Sequence, residues 1–87
     1  MILEIRKSFE KDAEKLPAPA LILLEKAIQN IIAAKKLSEL SSCKKLTGFK
    51  TAYRLRIGSY RIVFFFENEI VELVRILNRK DIYKYFP

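Results

Sequence analysis

The chain has no histidine and a single cysteine among its 87 residues. Without an imidazole there is nothing to activate Cys43 as a nucleophile, and a lone cysteine excludes an intrachain disulfide. Cys43 therefore reads as a small hydrophobe. Glycine is confined to Gly48 and Gly58, so no glycine-rich nucleotide loop exists. Zinc-ligand spacing and paired carboxylates are missing too, and neither a metal nor a cofactor is expected. No apolar run approaches the roughly 20 residues that cross a bilayer. The longest, Ala18 to Leu24, is interrupted by Pro19. The opening Met1 to Lys7 lacks the basic-then-apolar order of a secretory signal, so a cytoplasmic location is expected. There is no repeat, linker or low-complexity segment.

Acidic charge is also scarce, and unevenly so. The net charge is +7, from 17 Lys/Arg against 10 Asp/Glu. Residues 1–43 carry seven Lys/Arg and six Asp/Glu, a net of +1, whereas residues 44–87 carry ten against four, a net of +6. A localised excess of this kind favours a polyanion or an acidic protein partner. The length fits one domain, residues 1–87, and a domain of this size buries only about 60–65% of the surface its unfolded chain exposes.

The basic half centres on Tyr53-Arg54-Leu55-Arg56-Ile57-Gly58-Ser59-Tyr60-Arg61-Ile62-Val63-Phe64. It reads as two strands joined by a two-residue turn at Gly58-Ser59, since glycine accepts positive φ at the first central position. That turn sets Arg56 opposite Arg61, with Arg54 two residues along the same face. Like charges directly opposite destabilise a sheet. Three guanidinium groups there fit an anion such as an RNA phosphate, which arginine grips through two donors. The competing reading has them solvated or paired with Glu67 and Glu72.

Around this hairpin, Ile2 to Lys7 alternates as a short strand. Ser8 can cap a first helix carrying Glu10 and Asp12 in its first turn and the stripe Phe9, Ala13, Leu16. Pro17 and Pro19 start a second helix, running from about Ala18 to Lys36. Its inward stripe is Leu21, Leu24, Ile28 and Ile31, broadened by Ile22, Leu23 and Ile32, and the pair forms an antiparallel hairpin. Leu37 to Cys43 reads as a connector with at most one helical turn, and Lys44 to Phe49 as a loop. Three strands follow at about 51–57, 60–66 and 69–77, with a turn at Glu67-Asn68. Tyr53, Leu55, Ile57, Tyr60, Ile62, Phe64 and Phe66 share the face that packs on the helices. The arginine face adds Val63, Phe65 and some of Ile70, Val74 and Ile76, a basic and partly apolar open surface. The tail from Asn78 reads as a loop and a short helix, with Tyr83, Tyr85 and Phe86 either exposed or packed on the sheet. The predicted fold is thus α+β: an N-terminal strand, an antiparallel helical hairpin, a three-strand antiparallel meander completing a four-stranded sheet, and a short C-terminal helix.

This order, with Lys45-Leu46-Thr47-Gly48, the arginine hairpin and Asn78-Arg79-Lys80-Asp81-Ile82-Tyr83, resembles the RelE/ParE toxin superfamily of type II toxin–antitoxin systems. Ile5-Arg6-Lys7-Ser8-Phe9-Glu10-Lys11-Asp12 resembles the start of these toxins, so the likeness spans the whole chain. The resemblance implies a RelE-like fold, a short acidic antitoxin as partner, and one of two activities. The first is ribosome-dependent mRNA cleavage that inhibits translation, without metal or cofactor. The second is inhibition of DNA gyrase in the ParE manner; an attenuated toxin that only binds its antitoxin is a further alternative. For the nuclease, the resemblance implies that Arg61 contacts the scissile phosphate, that Arg79 stabilises transition-state charge, and that Tyr83 packs near the target nucleotide. Arg54 and Arg56 then contact RNA beside them. Lys44, Lys45, Lys50 and Lys80 fit general contacts to the phosphate backbone. Two departures stand out: Asn78 where many relatives carry histidine, and Ala52 where some carry a strand lysine.

Overall fold

A computed structural model describes residues 1–85, without the side chain of Tyr83; Phe86 lies outside the described residues. Strand β1 (Ile2–Ile5) leads into helices α1 (Lys7–Glu14) and α2 (Ala18–Ala33) and a single 3-10 turn at Leu37–Glu39. Strands β2 (Cys43–Lys45), β3 (Ala52–Ile57), β4 (Tyr60–Glu67) and β5 (Ile70–Asn78) follow, then the short helix α3 (Ile82–Tyr85). The sheet runs β1-β5-β4-β3-β2, with β1 parallel to β5 and every other pair antiparallel. The meander and the helical pair match the sequence-based expectation, but the sheet has five strands, not four. The addition is β2, which was read as connector and loop. Its three residues are too few to show alternation, and the paired lysines that hid it are typical of a protected sheet edge.

The β3–β4 hairpin closes at Gly58-Ser59 with Arg56 opposite Arg61 and Ile57 opposite Tyr60. Gly58 has φ of 58°, a left-handed conformation that favours glycine, while a β-carbon there would meet only the tip of the exposed Leu23 side chain, at 3.0 Å. The next turn lies at Asn68-Glu69, with φ of 52° and 65°, one residue later than expected. Further along, Val63 pairs with Arg75 but Phe64 with Leu73. The extra residue is a β-bulge, and it turns both Leu73 and Ile76 towards the helices. Ile76 therefore leaves the arginine face on which alternation had placed it.

Beyond the end of β1, the exposed edge of β5 is satisfied by α1. Arg6 N–H donates to Leu73 O at 3.0 Å, and Ser8 Oγ donates to Val74 O at 2.6 Å. Asp12 Oδ2 accepts the Ile76 N–H at 3.1 Å. Ser8 is consequently a tether to the sheet and no cap; the extended residue before α1 is Arg6. Helix α2 starts as expected at the prolines but stops at Ala33, short of Lys36. It buries Ala20, Leu24, Ala27 and Ile31, and Ile28 in part, while Leu21, Ile22, Leu23 and Ile32 stay exposed. Two of the buried positions are alanines, so the helix sits close to the sheet on a narrow face and leaves its larger flanking residues outside.

The main core lies between the helices and the sheet, around Ile31, Ile62, Phe64, Val71 and Leu73, all completely buried. Tyr53 stacks on Phe64 with ring centroids 5.6 Å apart and meets Phe66 edge-on. A smaller cluster forms on the opposite face, where Ile82 of α3 packs with Leu46, Ala52 and Val63. The apolar part of the arginine face is therefore covered by the tail and is not open. No described helix is long and apolar enough to cross a membrane.

Candidate functional site

Arg54, Arg56, Arg61, Arg79, Lys44 and Lys80 converge on one cleft of about 590 Å3, completed by Ser42 and Ile82. Each is brought there by backbone pairing. Arg56 and Arg61 face each other across the hairpin, and Lys44 faces Arg54 across the β2–β3 pair. Arg79 follows β5, and its N–H donates to Ser59 O at 2.9 Å, which ties the end of β5 to the hairpin turn. Asn78 shapes the next step: its Oδ1 accepts the Lys80 N–H at 3.0 Å and its carbonyl accepts the Asp81 N–H at 2.8 Å. Asn78 thus presents Arg79 and Lys80 to the cleft.

Among the described residues the lining contains no carboxylate. Glu72, a candidate partner for the hairpin arginines, is held by Arg6 at 2.9 Å and 3.1 Å instead. Arg61 donates through Nη1 to the carbonyls of Gly58, at 3.1 Å, and Tyr60, at 2.9 Å, so its guanidinium is oriented by the turn that precedes it. Six cations around one concavity focus a positive field. Such a site suits an anion with several oxygens, and a polyphosphate backbone above all.

Two expected contacts lie elsewhere. Lys45 and Lys50 line a separate groove of about 420 Å3 at the β2–β3 loop, with Leu46, Thr47, Gly48 and Phe49. The cause for Lys45 is register: it sits opposite Tyr53, whose side belongs to the helix-packed face, while its neighbour Lys44 sits opposite Arg54. Tyr83 belongs to α3, but its side chain is outside the described residues. Ser42 escaped sequence reading; it lines the cleft from a left-handed conformation, φ 60°, and its carbonyl accepts the Arg56 N–H at 3.1 Å. No residue pattern signals that role. Ala52, where some relatives carry lysine, is fully buried beneath α3, a place with no room for a charged chain. Burial pushes the Cys43 thiol up from its ordinary range, so it is protonated at neutral pH.

Residues 3–83 match the family described as the ParE toxin of type II toxin–antitoxin systems, parDE. Toxin RelE3 of Methanocaldococcus jannaschii is 33% identical over 82 residues, covering 93% of this chain and 93% of that protein. The toxin–antitoxin complex RelB-RelE from Methanococcus jannaschii contains a chain of the same fold, with a TM-score of 0.84 and 30% identity over 97% of this chain and 99% of that one. In the RelBE2 complex of Mycobacterium tuberculosis the likeness is one of fold alone, with a TM-score of 0.73 and 20% identity over 90% of this chain and 96% of that one. The chain belongs to the RelE/ParE toxin family of type II toxin–antitoxin systems.

Proposed function

We propose that this toxin is a metal-independent endoribonuclease that cuts mRNA on the ribosome and so inhibits translation in the cytoplasm. The observation that carries the proposal is the convergence of Arg61 of β4 and Arg79, which follows β5, on a cleft with four further cations. RNA brings its own nucleophile. The 2′-hydroxyl attacks the adjacent phosphorus in line, the bond to the 5′-oxygen breaks, and a 2′,3′-cyclic phosphate and a 5′-hydroxyl result. The hydroxyl proton leaves to solvent, and the departing oxygen takes one up. Arg61 and Arg79 stabilise the charge that develops on the phosphorane oxygens. Arg54, Arg56, Lys44 and Lys80 hold the flanking phosphates, and Tyr83 stacks on a base, a contribution of about 1–3 kcal/mol. The partner is a short acidic antitoxin, whose negative charge complements the cleft and whose binding stabilises the toxin by mass action.

The cleft residues supply charge but no pair suited to proton transfer, so alignment must come from the bound complex. Incubation with programmed ribosomes is expected to yield specific cuts, and naked mRNA to be cut far more slowly, since alignment alone contributes several kcal/mol. Equal cleavage of the two substrates defeats the ribosome-dependent reading. Cleavage of neither, with DNA damage signals after induction, transfers the case to gyrase inhibition.

A further inference from the structure

Outside the cleft, Arg75 stands in the bulge of β5. Its Nε donates to Asp12 Oδ2 at 2.7 Å and its Nη2 to Asp12 Oδ1 at 3.1 Å. The pair is largely enclosed, with 25% of the arginine side chain and 12% of the aspartate side chain exposed. Asp12 is itself held, because Oδ2 also accepts the Ile76 N–H. The plane of the guanidinium is therefore fixed by a two-point clasp from α1. Its carbon lies 4.6 Å from the centroid of the Tyr85 ring, at the end of α3.

Helix α3 has four residues, far too few to persist by its own hydrogen bonding. Among its described side chains, the anchors stand at its two ends: Ile82, 2% exposed in the smaller core, and Tyr85 on Arg75. Its other ion pair, Lys84 with Asp81 at 3.3 Å, joins exposed side chains and contributes little. Tyr83 lies between the two anchors. The segment carrying Arg79 and Lys80 runs from β5 into α3; Ser59 and Asn78 hold its backbone, and α3 continues from its far end.

We propose that Arg75 is a positioning residue, which α1 presents through Asp12 as a rigid platform for Tyr85. The platform fixes α3 and, through it, one wall of the basic cleft. Asp12, reaching in from the edge of β5, thereby sets the geometry of a site it does not line. The effect on cleavage rests on the function proposed above; the effect on α3 does not.

Two variants separate the platform from general stability. Tyr85→Ala removes the ring but leaves the Arg75–Asp12 clasp, and Tyr85→Phe restores a ring. Amide hydrogen exchange at residues 82–85, thermal melting, and single-turnover cleavage on programmed ribosomes are measured for both. In Tyr85→Ala, exchange at these amides is expected to rise about 3- to 30-fold, the span of a cation–π contact, and the cleavage rate to fall by a similar factor. Affinity for ribosomes carrying mRNA with a 2′-deoxy scissile nucleotide should hold, as should the melting temperature. Tyr85→Phe should recover both exchange and rate. Asp12→Asn, which loosens the clasp but keeps the ring, should fall between them. Unchanged exchange in Tyr85→Ala overturns the proposal, as does a Tyr85→Phe variant that is as impaired as Tyr85→Ala. If the parent protein cuts nothing, the nuclease reading fails by itself, and the exchange measurement still decides the platform.

Discussion

On the helix-bearing side of the sheet, Ile62, Phe64, Val71 and Leu73 are sealed from water; on the other side, β3 and β4 hold out Arg54, Arg56 and Arg61 around a concavity. The first face works by exclusion: its contribution grows with apolar area removed from solvent and is insensitive to salt. The second works by placement, with cations set at chosen points by strand register and turns and kept partly hydrated. The main core and the basic cleft thus occupy opposite sides of one sheet. They approach each other at Arg56, which also borders a groove with Leu40 and Leu55, and α3 adds Ile82, which belongs to the smaller core while lining the cleft.

If this division is real, mutations on the two faces should fail in different assays. The largest effect belongs to Phe64→Ala, which opens a cavity in the main core and is expected to cost about 3–5 kcal/mol in urea unfolding. A domain of this size has roughly 5–15 kcal/mol in total, so the variant should lose much of its folded population on modest heating. A cost below about 1 kcal/mol would erase the contrast between the faces. Next come Arg61→Ala and Arg79→Ala. Each is expected to lower single-turnover cleavage on programmed ribosomes by about 10²–10³-fold, with unfolding changed far less than by Phe64→Ala. Variants that remain fully toxic and cut at the parental rate would show that the cleft is not the reactive site.

The smallest effect sharpens the boundary within the basic half. Lys44→Ala is expected to weaken ribosomal RNA or mRNA binding modestly and to reduce the salt dependence by about one unit of slope. Lys50→Ala, in the separate loop groove, should change that slope less. Equal changes would merge the two grooves into one binding surface.

The parts of this arrangement legible in the sequence are those set by local rules. Glycine before serine between two alternating runs was enough to pair Arg56 with Arg61, and the same alternation sorted Tyr53, Leu55, Ile62 and Phe64 onto the helix side. What stayed hidden depends on distant partners. The three residues of β2 carry no periodicity, so nothing local separated Lys44 from Lys45, though the pleat sends them to opposite faces. The bulge arises from the fit of β5 to β4 and α1, and it moved Ile76 without any glycine to announce it. Ser8 had the composition of a cap but found a carbonyl on Val74, sixty-six positions away. Leu21, Ile22 and Ile32 lie on α2 where a wider helical face would have been buried, yet the small sheet reaches only its alanine side.

Ser59 illustrates a different kind of dependence. It meets Arg79 through its carbonyl, at 2.9 Å from the arginine's amide, so the bond makes no demand on the side chain at either position. Mutational tolerance at this junction should therefore be lopsided. Residue 59 is free to vary among types that keep the turn, whereas inserting or deleting one residue in either turn would part the two loops however well every arginine is preserved. The spacing of the chain, more than its chemistry, is what holds Arg61 and Arg79 beside each other in the cleft.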